Sequence, residues 1–138
     1  MPLLEQVLKQ NSNTVKIVFK NLPLKNHQMA GPAALAALAA GEQNKFWEYH
    51  DLLFAEPKIN PDSLKRIAAK LGLDLARFET DMKSPAILAK LNKDTVEAEA
   101  LGINSTPTVF VNGKALKERN FEGMQRQIDE ALQNKKLQ

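Results

Sequence analysis

The spacing of the β signals constrains this chain more than any other feature. Val15, Ile17 and Phe19 alternate with Lys16, Val18 and Lys20 in the period-two pattern of a strand, and Leu22-Pro23-Leu24 ends it. The next β signal is the β-branched and aromatic run Thr108 to Val111. It meets Asn112-Gly113, a strong two-residue hairpin turn into Ala115 to Lys117. The residues between these signals read as helix. No repeat, linker or low-complexity segment divides the chain, so the helical stretch, about residues 27–101, reads as an insertion between strands of one sheet. The expected class is α/β, in a single domain over 1–138.

The helical signals can be placed individually. Leu3, Leu4, Val7 and Leu8 share one face of a first helix over 2–10, which begins without the Ser, Thr, Asp or Asn that usually opens a helix. Such a start suggests an element cut partway. Seven alanines between Ala30 and Ala40, with Leu35 and Leu38, predict a closely packed helix, and Gly41 stands where a C-cap glycine belongs. Residues 44–55 hold Phe46, Trp47, Tyr49 and Phe54; Phe46, His50, Leu53 and Phe54 fall on one face as a core anchor. Asn60-Pro61 and Ser84-Pro85 set a capping residue before a first-turn proline, and Gly72 and Gly102 mark stops. Helices are therefore predicted near 61–71, 75–83 and 85–101. A last helix buries Phe121, Met124, Ile128, Ala131 and Leu132, with Lys135 and Lys136 suited to its negative end.

Composition excludes several classes of function. The chain is 43% apolar and 25% charged, as expected for one folded domain. Its formal charge of +3 is too mild and too dispersed for nucleic-acid binding. No apolar run approaches the roughly 18 residues of a membrane span, so no membrane partner is expected. The absence of cysteine excludes a disulfide, a thiolate metal site and a thiol nucleophile, and leaves the compartment open.

Polar clusters inside the helical stretch read as structure. His27 and His50 lack metal-ligand spacing and a nucleophile partner, so both are expected in packed or hydrogen-bonded roles, and no metal or cofactor is expected. No phosphate-cradling glycine loop or nucleophile elbow occurs, and the six glycines fall mainly at helix ends and turns. Asp94, Glu97 and Glu99 read as a solvated face with Lys90 and Lys93, Lys93 pairing with Glu97 one turn away. Lys65, Arg66 and Lys70 read as soluble surface.

One segment asks for more: Gly102-Ile103-Asn104-Ser105-Thr106-Pro107-Thr108-Val109-Phe110-Val111-Asn112-Gly113. Glycine, aliphatic residue, short polar loop, Thr-Pro, apolar strand and Asn-Gly turn together resemble the cis-proline loop and hairpin of thioredoxin-fold proteins. The likeness extends over nearly the whole chain. The strand, the loop near Lys25-Asn26-His27, the alanine-rich helix, the segment Lys45 to Phe54 and the further helices look like the helical insertion of DsbA-like disulfide oxidoreductases. The resemblance implies an incomplete thioredoxin-like fold with a cis bond between Thr106 and Pro107. It also implies a peptide or protein substrate held at Ser105, Thr106 and Pro107.

In that family a central strand leading into Cys-x-x-Cys precedes the segment matching Pro2 to Gln10, and this sequence has neither. The chain is therefore expected to be a truncated C-terminal portion of a DsbA-like oxidoreductase, redox-inactive without a thiolate and with no catalytic residue of its own. The alternative is a non-catalytic thioredoxin-like module that holds an extended peptide by strand addition. Glutathione-using relatives, with serine for the first cysteine, share the architecture. Family members are commonly periplasmic or exported, and the Met1 end of this sequence lacks the charged start and apolar stretch of a signal peptide. The resemblance sets the missing strand between Val15–Phe19 and Thr108–Val111. Two edges would then need new partners, either by direct pairing or by self-association into a homo-oligomer.

Overall fold

The computed structural model describes residues 2–136, which group into two compact units: one runs to Phe19 and resumes at Ser105, and the other covers 20–104. In the first unit, helix α1 (Pro2–Gln10) packs on helix α7 (Phe121–Lys136). Val7, Met124 and Ile128 are buried between them, and Leu3, Leu4, Val15, Val111, Leu116, Phe121 and Leu132 surround this core. The apolar spacing of both helices is thus spent on each other. Asn11 and Gln125 fix the contact with a reciprocal amide pair, Asn11 Nδ2 donating to Gln125 Oε1 at 2.7 Å and Gln125 Nε2 to Asn11 Oδ1 at 3.0 Å.

The sheet is smaller than the sequence predicts. Among the described residues it has two antiparallel strands, β1 (Phe110–Val111) and β2 (Lys114–Ala115), with Phe110 opposite Ala115 and Val111 opposite Lys114. Asn112 (φ 46°) and Gly113 (φ 80°) both lie in the left-handed region, which the predicted two-residue turn requires. Leu116 N–H adds one bond to Val109 O at 2.9 Å. Both predicted strands end early, with side-chain hydrogen bonds at their ends. Thr108 turns its hydroxyl to Ser105 O, and Lys117 N–H donates to Gln127 Oε1.

The predicted strand at Val15–Phe19 is assigned to neither strand nor helix. Its burial still alternates, with Val15, Ile17 and Phe19 half-buried and Lys16 and Val18 exposed. Alternation reports which face is covered, whereas a ladder needs a neighbouring strand in register. Direct pairing of this segment with Thr108–Val111 is not formed, because the described ladder joins 110–111 to 114–115 alone.

The second unit is a helical bundle of α2 (Ala30–Gly41), α3 (Phe46–Ala55), α4 (Pro61–Lys70), α5 (Leu75–Met82) and α6 (Pro85–Ala100). Ala36, Ala39 and Ala40 are fully buried, and their small side chains let α2 lie close to α3 and α5. Tyr49 and Phe78 fill the space beside them with ring centroids 5.7 Å apart, and Tyr49 donates its hydroxyl to Leu64 O at 2.8 Å. That burial pushes the phenol above its ordinary pKa. The Asn60-Pro61 signal is realised as a reciprocal capping box with Ser63, and Ser84 Oγ accepts from Ala86 N–H.

Gly72 and Gly102 end α4 and α6 as predicted. Gly41 is instead the last residue of α2, and the left-handed reversal falls on Asn44 (φ 61°). The acidic face also departs from expectation. Glu97 pairs with Lys20 at 2.7 Å rather than with Lys93, and Asp94 accepts Asn21 N–H at 2.9 Å. The 20–21 segment thus lies within reach of α6, a proximity that helical spacing does not encode.

Hydrogen bonds from Lys90, Arg66 and Lys20 hold Glu42, Glu56 and Glu97 below the ordinary carboxylate range. Their depressed folded values give a contribution present above the unfolded pKa and lost as pH falls through the folded one. Because the basic partners are exposed, that contribution is small.

Gly123 supplies the tightest steric constraint. A Cβ there would sit 2.5 Å from Glu118 Cβ and 2.8 Å from Glu118 O, whereas one on helical Gly31 would meet nothing within 4 Å. Gly123→Ala should therefore lose about 1–3 kcal/mol in urea unfolding through overpacking. Gly31→Ala should be neutral or gain up to about 1 kcal/mol. Equal stabilities for the two variants would contradict the close approach.

Candidate functional site

Ser105, Thr106, Pro107 and Thr108 form a continuous exposed run between the end of α6 and β1. The Thr106–Pro107 peptide bond is cis. Two bonds hold the loop at its flanks: Thr108 Oγ1 donates to Ser105 O at 2.7 Å, and Arg119 Nη2 donates to Pro107 O at 2.7 Å. Pro107 has no N–H, and Thr106 makes no hydrogen bond among the described residues. The structure therefore brings the three expected site residues together and leaves the backbone N–H and C=O of Thr106 open. An extended chain requires such a donor and acceptor from the edge it joins.

The support for this loop comes from α7. Gln127 bonds both ends of the hairpin exit, accepting from Lys117 N–H at 2.8 Å and donating to Ala115 O at 3.2 Å. Asn120 Oδ1 accepts Gly123 N–H at 2.7 Å at the helix start, and Glu118 pairs with Arg126 at 3.2 Å. Arg119 thus has a fixed root and reaches back to the loop. The sequence reading missed Arg119, Gln127 and Gly123. Lys117-Glu118-Arg119-Asn120 looks like any polar helix entry, and only the fold reveals that its third member touches Pro107.

The other polar candidates are structural. His50 is buried among Phe46, Trp47 and Phe54, with centroids 6.0, 5.4 and 4.6 Å away, and its Nδ1 lies 3.2 Å from Asp51 Oδ1. His27, expected in a packed role, is instead exposed, because the whole 25–28 stretch of the loop before α2 is exposed. Arg66 forks onto Glu56 and Lys65 meets Glu79, as a solvated surface does. Among the described residues no group of three or more His, Asp or Glu could hold a metal ion.

A family model described as Thioredoxin matches residues 2–130. The chain belongs to the thioredoxin family. A thioredoxin-like oxidoreductase from Silicibacter pomeroyi DSS-3 superposes with a TM-score of 0.87 at 27% identity, over 96% of this chain and 77% of that one. The thioredoxin-like fold expected from sequence is thus the fold observed. Curated relatives include the Na(+)/H(+) antiporter NhaA 3 of Salinispora tropica, 41% identical over 73% of this chain. Another is the Na(+)/H(+) antiporter NhaA of Herminiimonas arsenicoxydans, 38% identical over 75% of it. This thioredoxin-family chain spans only 16% of the length of either antiporter, so the likeness is that of a domain. No helix among the described residues is long and apolar enough to cross a membrane. The fold is that of thiol–disulfide oxidoreductases, and the cysteine-free sequence has no sulfur nucleophile for exchange.

The Gln127 brace is directly testable. Gln127→Leu removes the acceptor of Lys117 N–H, and amide exchange at Lys117 should accelerate about tenfold, the equivalent of one lost hydrogen bond. Unchanged exchange at Lys117 would show that the brace does not hold the hairpin exit.

Proposed function

We propose that the chain corresponds to the substrate-docking, C-terminal portion of a DsbA-like thiol–disulfide oxidoreductase and performs the non-covalent half of that work. It holds an extended peptide along the Ser105–Thr108 loop, with Thr106 supplying the backbone N–H and C=O. The observation that carries this reading is the exposed, braced loop in which the Thr106 N–H and C=O make no hydrogen bond among the described residues. The oxidoreductase fold of the Silicibacter pomeroyi relative supports the reaction class. The absence of cysteine limits the chain to binding, since exchange proceeds by thiolate attack on a disulfide sulfur.

The chain should show no turnover in insulin reduction or in oxidation of a dithiol peptide, and turnover would sink the non-covalent reading. A fluorescent extended peptide should bind, and Thr106→Pro, which deletes the N–H donor, should weaken binding about tenfold. Lys70→Ala, in the helical unit, should leave affinity unchanged. Equal effects from both substitutions would argue against docking at the loop. A second copy of the chain is the competing occupant of the same edge. A dimer in light scattering that the peptide does not dissociate would place self-association elsewhere.

A further inference from the structure

The Pro107 carbonyl is held by a side chain with more bonding capacity than that role uses. A guanidinium carries five N–H donors in a planar fork. Arg119 gives one to Pro107 O at 2.7 Å and makes no ion pair among the described residues. Its neighbour Glu118 does not neutralise it, because that carboxylate is committed to Arg126 at 3.2 Å. Lys114 and Lys117 lie on the same hairpin and its exit, and they too form no ion pair among the described residues. The segment leading away from the loop therefore presents three cations, and the anion among them is already engaged.

Position strengthens the case. Lys117 N–H is fixed to Gln127, and Asn120 is fixed to Gly123 N–H, so the backbone on both sides of Arg119 is tied to α7. The side chain is anchored at its root by those bonds and at its tip by the Pro107 carbonyl, within a stretch of exposed residues. Much of the rotamer entropy that an exposed arginine loses on binding has already been lost. The remaining donors offer a carboxylate the two-pronged geometry that arginine binds best.

Resting on the docking reading above, we propose that Arg119 is both a positioning and a specificity-determining residue. It fixes the loop through Pro107 O and selects extended peptides that carry a carboxylate side chain beside the residue docked at Thr106. Fluorescence anisotropy with two labelled peptides of the same Ser/Thr/Val backbone, one with two Glu and one with two Gln, tests this.

At low salt the wild-type chain should prefer the Glu peptide about three- to fivefold, as expected for one exposed charge pair. Raising the salt to 0.5 M should remove most of that preference. Arg119→Gln should abolish the preference and also weaken the Gln peptide. Arg119→Lys should keep part of the preference, and Lys65→Gln, with the same change in net charge, should leave it intact. Equal loss of preference in Arg119→Gln and Lys65→Gln would reduce the effect to net charge and overturn the proposal. Binding that Thr106→Pro abolishes but that never distinguishes Glu from Gln would overturn the role of Arg119 and leave the docking reading standing. Failure of the wild-type chain to bind either peptide would overturn both.

Discussion

The turn at 118–120 can rest against α7 only because residue 123 has no Cβ, and the site depends on that contact. The close approach of Glu118 to Gly123, with Asn120 Oδ1 on Gly123 N–H, sets where the chain leaves the hairpin. Gln127 then ties Ala115 and Lys117 to the same helix, and Arg119 projects from this fixed base to the Pro107 carbonyl. A glycine in a helix interior ordinarily costs about 1 kcal/mol relative to alanine. Here that cost is offset by a contact a methyl group would forbid. The helix is held in turn by α1, through Val7, Met124 and Ile128 and the Asn11–Gln125 amide pair. The exposed loop is thus the last member of a chain of contacts that begins in a buried core.

This arrangement separates two halves of a familiar chemistry. Thiol–disulfide exchange needs a sulfur nucleophile and a surface that presents the substrate to it. The thioredoxin family supplies the fold, and this chain keeps a proline loop with open backbone groups while having no cysteine anywhere in its sequence. Recognition by backbone pairing requires no catalyst, because an exposed strand edge binds an extended chain through main-chain groups and draws specificity from neighbouring side chains. In the proposed docking mode, the cations at Lys114, Lys117 and Arg119 would be such neighbours.

The sequence made the elements legible wherever a local signal sufficed. Asn112-Gly113 encodes its own backbone angles, Asn60-Pro61 its own cap, and the alanine run its own close packing, and each forms as read. The cis bond expected between Thr106 and Pro107 was legible for the same reason. Contacts across long sequence separations were not. Asp94 looked like one more acid on a solvated helix until the 20–21 segment lay beside it, and Glu97 found Lys20 rather than its helical neighbour. The alternation at Val15–Phe19 reported a covered face correctly but carried no information about a ladder partner. Arg119 stayed hidden because nothing in its neighbours marks a side chain that doubles back twelve residues to a carbonyl.

The central claim is that the Ser105–Thr108 loop is a non-covalent docking edge for an extended chain. Backbone amide chemical shifts recorded during titration with an extended peptide test it residue by residue. The account predicts that the Thr106 and Thr108 amides move together and saturate at one affinity, while amides of the helical bundle around Tyr49 and Phe78 stay in place. Shifts confined to that bundle, with the Thr106 and Thr108 amides unmoved at saturation, would contradict it.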